Sequence, residues 1–307
     1  MKILVTGGAG FIGSHIVNTY INAGHDVIVI DNLSSGEIKL VNPKAKFYHL
    51  DIHSPEVKTI LEKEKITVIN HHAAQISVSA SVSNPLFDAN SNIIGTLQLL
   101  QNAVSLKIDK FIFASTGGAM YGEQEIFPAS EEHPCQPLSP YGISKLCAEK
   151  YVNYFGTQHG LSTTILRYSN VYGPHQNPHG EAGVVAIFCQ RLMESLPPII
   201  CGDGEQTRDF ISVRDIAQAN IIALNPQCTG IYNVGTGKET SVNFLTQGLL
   251  KASKIATSAE HSPARKGEQR RSAIDSSKLL KNFGWKPGVS LEEGLVETFN
   301  YFKNKTN

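Results

Sequence analysis

Residues 2 to 31 carry the pattern that most narrows what this chain can become. Lys2 to Thr6 is a short apolar run that reads as a buried strand, and Gly7-Gly8-Ala9-Gly10-Phe11-Ile12-Gly13 follows at once. A helical apolar pattern through Ile16, Val17, Tyr20 and Ile21 runs to Gly24, and Asp26 to Ile30 is a second apolar strand ending in Asp31. Strand, glycine turn, helix, strand, acid is the context that a dinucleotide-binding turn requires. The glycines let the backbone approach a pyrophosphate whose charge rests on the helix N-terminus. Asp31 is placed to bind an adenine-ribose diol and to repel a 2′-phosphate, which favours NAD over NADP.

The alternation continues. Lys46 to Leu50 reads as a third strand, with Asp51-Ile52 at its end, and a helix through roughly 55–63 follows. Thr67 to Asn70 reads as a fourth strand and runs into His71-His72-Ala73-Ala74-Gln75, whose small alanines suit a backbone passing close to a cofactor. Adjacent histidines on a strand point to opposite faces, so His71 and His72 are not read as a metal pair, and no metal is expected. Pro85 opens a long helix to about Leu106, with Asn92 inside it. Lys110 to Ala114 is a fifth strand leading into Ser115-Thr116-Gly117-Gly118, and Ser162 to Arg167 is a sixth. The pattern predicts an α/β chain with a Rossmann-type doubly wound parallel sheet. Ligands of such sheets bind beyond the C-terminal ends of the strands. After Gly173 the alternation loosens, and the remaining residues read as a smaller, irregular C-terminal lobe that closes over a substrate.

Between those strands lies Ser-Pro-Tyr-Gly-Ile-Ser-Lys, residues 139–145. Tyr141 and Lys145 are four apart and stack on one helix face. A phenol titrates near pH 10, too high for a base at neutral pH. An ammonium about 4 Å away is worth on the order of 4 kcal/mol at an effective dielectric near 20, or roughly three pKa units. The pair therefore reads as a general acid/base, with Thr116 or Ser115 as the accompanying hydroxyl. Thr116 is preferred. In the later loops, Arg208 and Arg265 suit a diphosphate, because a guanidinium fork matches phosphate oxygens.

Lys plus Arg equals Asp plus Glu at 27 each, so no net field favours nucleic acid or an anionic membrane. Five cysteines (Cys135, Cys147, Cys189, Cys201 and Cys228) are scattered without a CxxC pair, which suggests reduced thiols in a cytoplasmic protein. No apolar run reaches the length of a membrane span, and the N-terminus lacks the apolar stretch of a signal peptide.

The glycine spacing, with TGGAGFIG, resembles the extended branch of the short-chain dehydrogenase/reductase superfamily. With RYSNVYGP, GDGEQTRDF, YNVGTG and ARKGE in the same order, nearly the whole chain resembles its nucleotide-sugar epimerase/dehydratase family. The resemblance implies that Gly7, Gly10, Phe11, Ile12 and Gly13 line the pyrophosphate. Asp31, Asn32, Leu33, Ser34, Ser35 and Gly36 would wrap the adenosine, with Asp51 and Ile52 near the adenine. Ala73, Ala74, Gln75, Asn92 and Ser169 would complete the NAD site with Tyr141 and Lys145. Asn170, Arg208, Arg265 and Glu268 would hold a UDP moiety, with Thr116 on the reacting sugar oxygen. The residue seven after Arg265, Ser272, is implied to gate N-acetylated sugars, and its small size leaves room for them. A homodimer through helices near 86–106 and 142–158 is implied as well.

The implied division gives residues 1–170 to NAD, with contributions from the region near 205–235, and 171–307 mainly to the nucleotide sugar. The implied reaction is NAD-dependent 4-epimerisation of a UDP-hexose by transient oxidation at C4. Alternatives on the same fold are a uronate or N-acetylhexosamine epimerase, a decarboxylase, and a 4,6-dehydratase, whose acidic pair after the threonine is replaced here by Gly117-Gly118. A non-catalytic NAD-sensing protein is the alternative of a different class.

Overall fold

Strands covered on both faces are apolar at successive positions rather than at alternate ones, and the central runs of this chain are of that kind. The computed structural model describes residues 1–179, 183–264 and 269–306. Its first half contains β1 (Lys2–Thr6), α1 (Phe11–Asn22), β2 (Asp26–Asp31), β3 (Lys46–His49), α2 (Glu56–Glu64), β4 (Val68–His71), α3 (Val78–Ser83), α4 (Pro85–Ala89), α5 (Gly95–Ser105), β5 (Lys110–Thr116), α6 (Pro140–His159) and β6 (Ser162–Tyr168). The remainder contains β7 (Asn170–Tyr172), α7 (Val184–Met193), β8 (Ile199–Cys201), β9 (Thr207–Arg208), β10 (Phe210–Ser212), α8 (Val213–Ala223), β11 (Gly230–Val234), β12 (Thr240–Ser241), α9 (Val242–Ser253), β13 (Glu260–Ser262), α10 (Ser277–Phe283) and α11 (Leu291–Thr306).

Seven strands form one sheet in the order β11-β6-β5-β4-β1-β2-β3, and every pairing in it is parallel. This is the doubly wound order anticipated from the alternation. Side chains alternate across the sheet. Ile3, Val5, Val27 and Val29 therefore pack with Ile16, Val17 and Tyr20 of α1 and Ile216 and Ala219 of α8. Leu4, Ile28, Ile30, Phe111 and Phe113 pack on the other face with Val57 and Leu61 of α2, Leu99 of α5 and Val152 of α6. A third cluster lies in the lobe, where Phe188 of α7, Leu245 of α9 and Phe299 of α11 close around Tyr172 and Phe210. The strand order reverses between β1 and β4, and the crevice outside that switch point is where such sheets take their ligands.

One local expectation is corrected, and one helix is added. The helix anticipated from Pro85 to Leu106 is three pieces: α4, a π-helical turn at Asn90–Ile94, and α5. Such turns break the regular ladder and often mark functional sites. The short helix α3 has the sequence VSASVS and lacks the apolar 3.6-residue period that would have revealed it.

Candidate active site

The glycine turn after β1 is shaped by contacts that exclude side chains. Gly7 has φ of 69°, a left-handed conformation, and a Cβ there would lie 2.7 Å from the Ala73 nitrogen. A Cβ on Gly13 would collide with the Gly7 carbonyl oxygen. The turn thus brings α1 against β1 and against Ala73, leaving backbone N–H groups at the α1 N-terminus beside Gly10, Phe11 and Ile12. Asp31 is buried at the end of β2, where its carboxylate accepts from Ala9 N–H at 2.9 Å and Leu33 N–H at 2.8 Å. Leu33 has φ of 57°, and the Ser34 N–H closes onto Asn32 Oδ1 at 3.0 Å. Asn32 also donates to Asp51 Oδ2 at 2.7 Å, bringing the loop of Ser34, Ser35 and Gly36 and the turn of Asp51 and Ile52 to one rim. A Cβ on Gly36 would lie 3.0 Å from Ala9, so this loop lies directly on the glycine turn. The arrangement fits a dinucleotide: a cradle that a Cβ would fill, a helix N-terminus, and a carboxylate on the ribose side.

Asn92 sits in the π-helical turn and is buried. Its Oδ1 accepts from the Gln75 N–H at 2.9 Å, and its Nδ2 donates to the Gln75 carbonyl at 2.9 Å, to Asp88 Oδ1 at 3.1 Å and to Ser144 Oγ at 3.2 Å. The amide therefore clamps the loop of Ala73, Ala74 and Gln75 to α6. On the neighbouring strand, Thr6 Oγ1 accepts from the N–H groups of His72 and Ala73, both at 3.2 Å. His71 meets Thr6 and Thr96, whereas His72 Nε2 meets the Tyr168 hydroxyl at 3.0 Å on the opposite face. Burial, and then the charge of Lys145, holds His72 at about 3.

Ser139 caps α6, accepting from Gly142 N–H at 3.2 Å, and Pro140 occupies the first turn. This fixes Tyr141 and Lys145 on the face toward β5. The Thr116 hydroxyl meets the Tyr141 phenol. Thr116 Oγ1 also accepts from Ala119 N–H at 3.1 Å, which leaves its own proton for donation elsewhere. Ser115, one residue earlier and so on the other face of the strand, donates to Glu149 at 2.5 Å. Glu149 in turn holds Arg167 through Nε at 2.9 Å and Nη2 at 2.6 Å, all buried. Of the two candidate hydroxyls, Thr116 is the one brought to Tyr141; Ser115 belongs to the ion pair behind the strand.

The electrostatics of the pair reverse one expectation. Lys145 Nζ donates to the Ala114 carbonyl at 3.0 Å and lies over the Phe113 ring. Burial draws its ammonium down to about 8, opposed by the charges of Asp88 and Glu149. Tyr141 is pushed up, not down: burial disfavours the phenolate, Asp88 adds to it, and Thr116 acts the other way. Helical spacing places Lys145 beside Tyr141 but says nothing of desolvation or of Asp88. Asp88, Glu149 and Thr6 are functional neighbours that the motifs alone do not single out. A signal exists for two of them, since Asp88 lies four before Asn92 and Glu149 four after Lys145 on shared helix faces.

Beyond the sheet, Asn170 begins β7, which pairs in parallel with β10 so that Asn170 lies opposite Phe210. The Asn170 N–H donates to the Asp209 carbonyl at 2.9 Å, and the preceding residue, Arg208, donates to the Thr207 carbonyl at 2.7 Å. Ser169 Oγ and Asn170 Oδ1 are buried and make no hydrogen bond, so both have capacity to bind a ligand. A Cβ on Gly118 would lie 3.4 Å from Asn170 Oδ1, whereas one on Gly117 would lie 2.7 Å from Ile274 Cδ1. Ser272 is buried two residues before Ile274. Arg265 and Glu268 lie outside the described residues. Asp209, inside the GDGEQTRDF motif but not read there as a site residue, accepts from Thr236 Oγ1 at 2.6 Å and from Gly237 N–H at 3.1 Å, fixing the VGTG turn.

The family model described as the NAD dependent epimerase/dehydratase family matches residues 3–235. A putative UDP-glucose 4-epimerase of Methanocaldococcus jannaschii is 46% identical over 302 residues, 98% of each chain. Among solved structures, the UDP-glucose 4-epimerase of Thermotoga maritima with UDP-glucose has 46% identity and a TM-score of 0.96 over 100% of both chains. That of Thermus thermophilus, in complex with NAD, has 41% identity and a TM-score of 0.93 over 99% of both.

Proposed function

The chain belongs to the NAD dependent epimerase/dehydratase family, and from that premise we propose that it is a UDP-hexose 4-epimerase working through a 4-keto sugar. The observation that carries this reading is the convergence of Thr116, Tyr141 and Lys145 at the C-terminal end of β5, beside a glycine turn shaped for NAD. NAD, held at the glycine turn and by Asp31, would supply the hydride acceptance and return that no side chain can. The chain's own residues manage the proton and the geometry. Tyr141 takes the proton of the sugar 4-hydroxyl and later returns it. Thr116, its acceptor face filled by Ala119, donates to the same oxygen. Lys145, one helical turn along from Tyr141, supplies positive charge that favours the phenolate. Asn170 and Arg208, with Arg265 and Glu268, grip the UDP end while the 4-keto sugar turns. Ser272 leaves room for an acetamido group.

On this reading the seven-stranded sheet, with Asp31 and Asn92 at its rim, serves NAD, and most of the chain after Asn170 serves the nucleotide sugar. The dehydratase alternative needs an acid after the threonine, and Gly117 and Gly118 supply none; a side chain at Gly117 would have to displace the tip of Ile274. A homodimer is part of the proposal. Val82, Leu86 and Phe87 on α3 and α4, and Ile143, Tyr151 and Tyr154 on α6, are all exposed on helices that pack against one another. An exposed apolar face of this kind marks an interface. Sedimentation at micromolar concentration gives a dimer on this account, and Leu86→Glu with Phe87→Glu gives a monomer; a monomeric parent removes that part. No helix among the described residues is long and apolar enough to cross a membrane.

The test of the activity uses purified protein with no nicotinamide added. UDP-galactose is converted to UDP-glucose, and denaturation of a second sample releases NAD. Bound NAD without conversion of any UDP-hexose would remove the epimerase reading and leave the decarboxylase and NAD-sensing alternatives.

A further inference from the structure

Thr116 ends β5 and Tyr141 stands in the first turn of α6, so the loop 117–139 joins the two. That loop is tied to the lobe by the stretch 269–275, whose residues are divided between two partners. Toward the loop, Gln269 Nε2 donates to the Gly122 carbonyl. The Ala273 N–H donates to Gln124 Oε1 at 3.1 Å, and the Ala273 carbonyl accepts from the Ala129 N–H at 2.9 Å. Toward the lobe, the Arg270 carbonyl accepts from the Thr207 N–H at 3.0 Å, and the Arg270 guanidinium forks onto Asp203. The stretch is therefore a bridge between the two sides of the crevice.

Arg271 reaches both sides at once. Its guanidinium carbon lies 3.9 Å from the centre of the Phe127 ring in the loop. The same guanidinium donates to both oxygens of Glu239, through Nε at 2.9 Å and Nη2 at 2.5 Å. Glu239 also accepts from Thr207 Oγ1 at 2.5 Å, and Thr207 is the neighbour of Arg208 on β9. A planar guanidinium stacked on a ring and forked onto a carboxylate is fixed in orientation as an ammonium would not be. The Arg271 side chain is 52% exposed, and a pair so open to water contributes little to stability. Its effect is geometric. Without Arg271, β9 stays paired with β12 and Thr207 stays bonded to Glu239. The grip around Arg208 keeps its own shape and loses this tie to the loop.

On the premise of the UDP-hexose 4-epimerase reading, we infer that Arg271 is a positioning residue that sets how the UDP end of the substrate stands relative to Thr116 and Tyr141. A sugar anchored at its diphosphate meets the phenol only from the right distance, and a misplacement of about 1 Å is costly in rate. In Arg271→Met, kcat for UDP-galactose falls about tenfold. The Kd of UDP alone, measured by calorimetry, and the NAD released on denaturation stay as in the parent. Phe127→Leu, which removes the ring from the other side of the contact, gives the same fall in kcat. The double variant falls no further than either single one, because both remove one interaction. A direct role in gripping UDP would raise the Kd of UDP in Arg271→Met, and a role in folding alone would lower the melting temperature with kcat unchanged. Either result, or additive losses in the double variant, overturns the inference. If Arg271→Met does not fold, Arg271→Gln carries the same measurements, and failure of both to fold assigns the residue to the fold and overturns it as well. A parent that converts no UDP-hexose sinks the underlying reading, and the inference with it.

Discussion

The two walls of the crevice are built differently. On the sheet side, Tyr141 and Lys145 stand on the 20-residue α6, Thr116 ends β5 and Asn92 sits in the π-helical turn, and hydrogen bonds among buried groups and the buried Glu149–Arg167 pair tie these elements together. On the lobe side, Arg208 stands on a two-residue strand paired to another two-residue strand. Its surroundings are tied by exposed ion pairs, Arg270 to Asp203 at 2.8 Å and Arg271 to Glu239 at 2.5 Å. A proton and a hydride must be placed to a fraction of an ångström, whereas a diphosphate grip tolerates adjustment and has to admit a large substrate. The difference suggests that the sheet wall does the chemistry and the lobe wall does the holding.

That division can be broken most directly at Tyr141. Tyr141→Phe is expected to lose about 10²- to 10⁴-fold in kcat while folding and keeping NAD, measured by turnover and by cofactor released on denaturation. Retained turnover would move the acid/base to another residue. Next in size is Glu149→Ala, which leaves Arg167 charged and buried without its partner. A loss of about 3–5 kcal/mol is expected in denaturant unfolding, and a loss near zero would mean that the sheet wall does not depend on this pair. On the lobe wall, Arg208→Leu removes a charged hydrogen-bond donor worth about 1.5–3 kcal/mol. KM for UDP-galactose should rise roughly 10- to 100-fold with kcat changed far less; the opposite split would place Arg208 in the chemistry.

A smaller effect sharpens the contrast by pH. Buried His71 and His72 stay neutral in the folded chain, with His72 held near 3 against an ordinary value of 6.5. The unfolded chain binds their protons first, so stability is intact above about pH 6.5 and falls as pH drops from there toward 3. Each histidine contributes a slope of about 1.4 kcal/mol per pH unit. Unfolding midpoints measured across that window check it, and His72→Gln should flatten the curve. Smallest of all is Asp203→Asn, which opens an ion pair exposed on both sides. Exposed pairs contribute little, so the melting temperature should stay where it is. A clear drop would show the lobe wall to be more rigidly built than its geometry implies.

The two walls also differ in how far the sequence reveals them. The sheet is readable because each strand is an apolar run and each crossover helix has its own period, so β1 to β6 fall within a residue or two of their expected places. The residues proposed for the site on those elements, Asp31, Thr116, Tyr141 and Lys145, are positioned along with it. What escapes a sequence depends on contacts between distant segments. The π-helical turn at Asn92 is set by its bonds to Gln75 and Ser144, and the upward push on Tyr141 comes from burial and Asp88. In the lobe, β7 finds β10 across a long stretch of chain, and no periodicity announces a three-residue strand.

The most direct test of the account follows one hydrogen atom. UDP-galactose carrying deuterium at C4 is given to the protein in ordinary water with no added nicotinamide, and the UDP-glucose formed is analysed for its label. The account predicts that deuterium is retained at C4, because the hydride leaves and returns within one crevice while Tyr141 moves only the hydroxyl proton. Product whose C4 deuterium has been replaced by solvent hydrogen would contradict it, and with it the assignment of Tyr141, Thr116 and Lys145 to a closed hydride cycle.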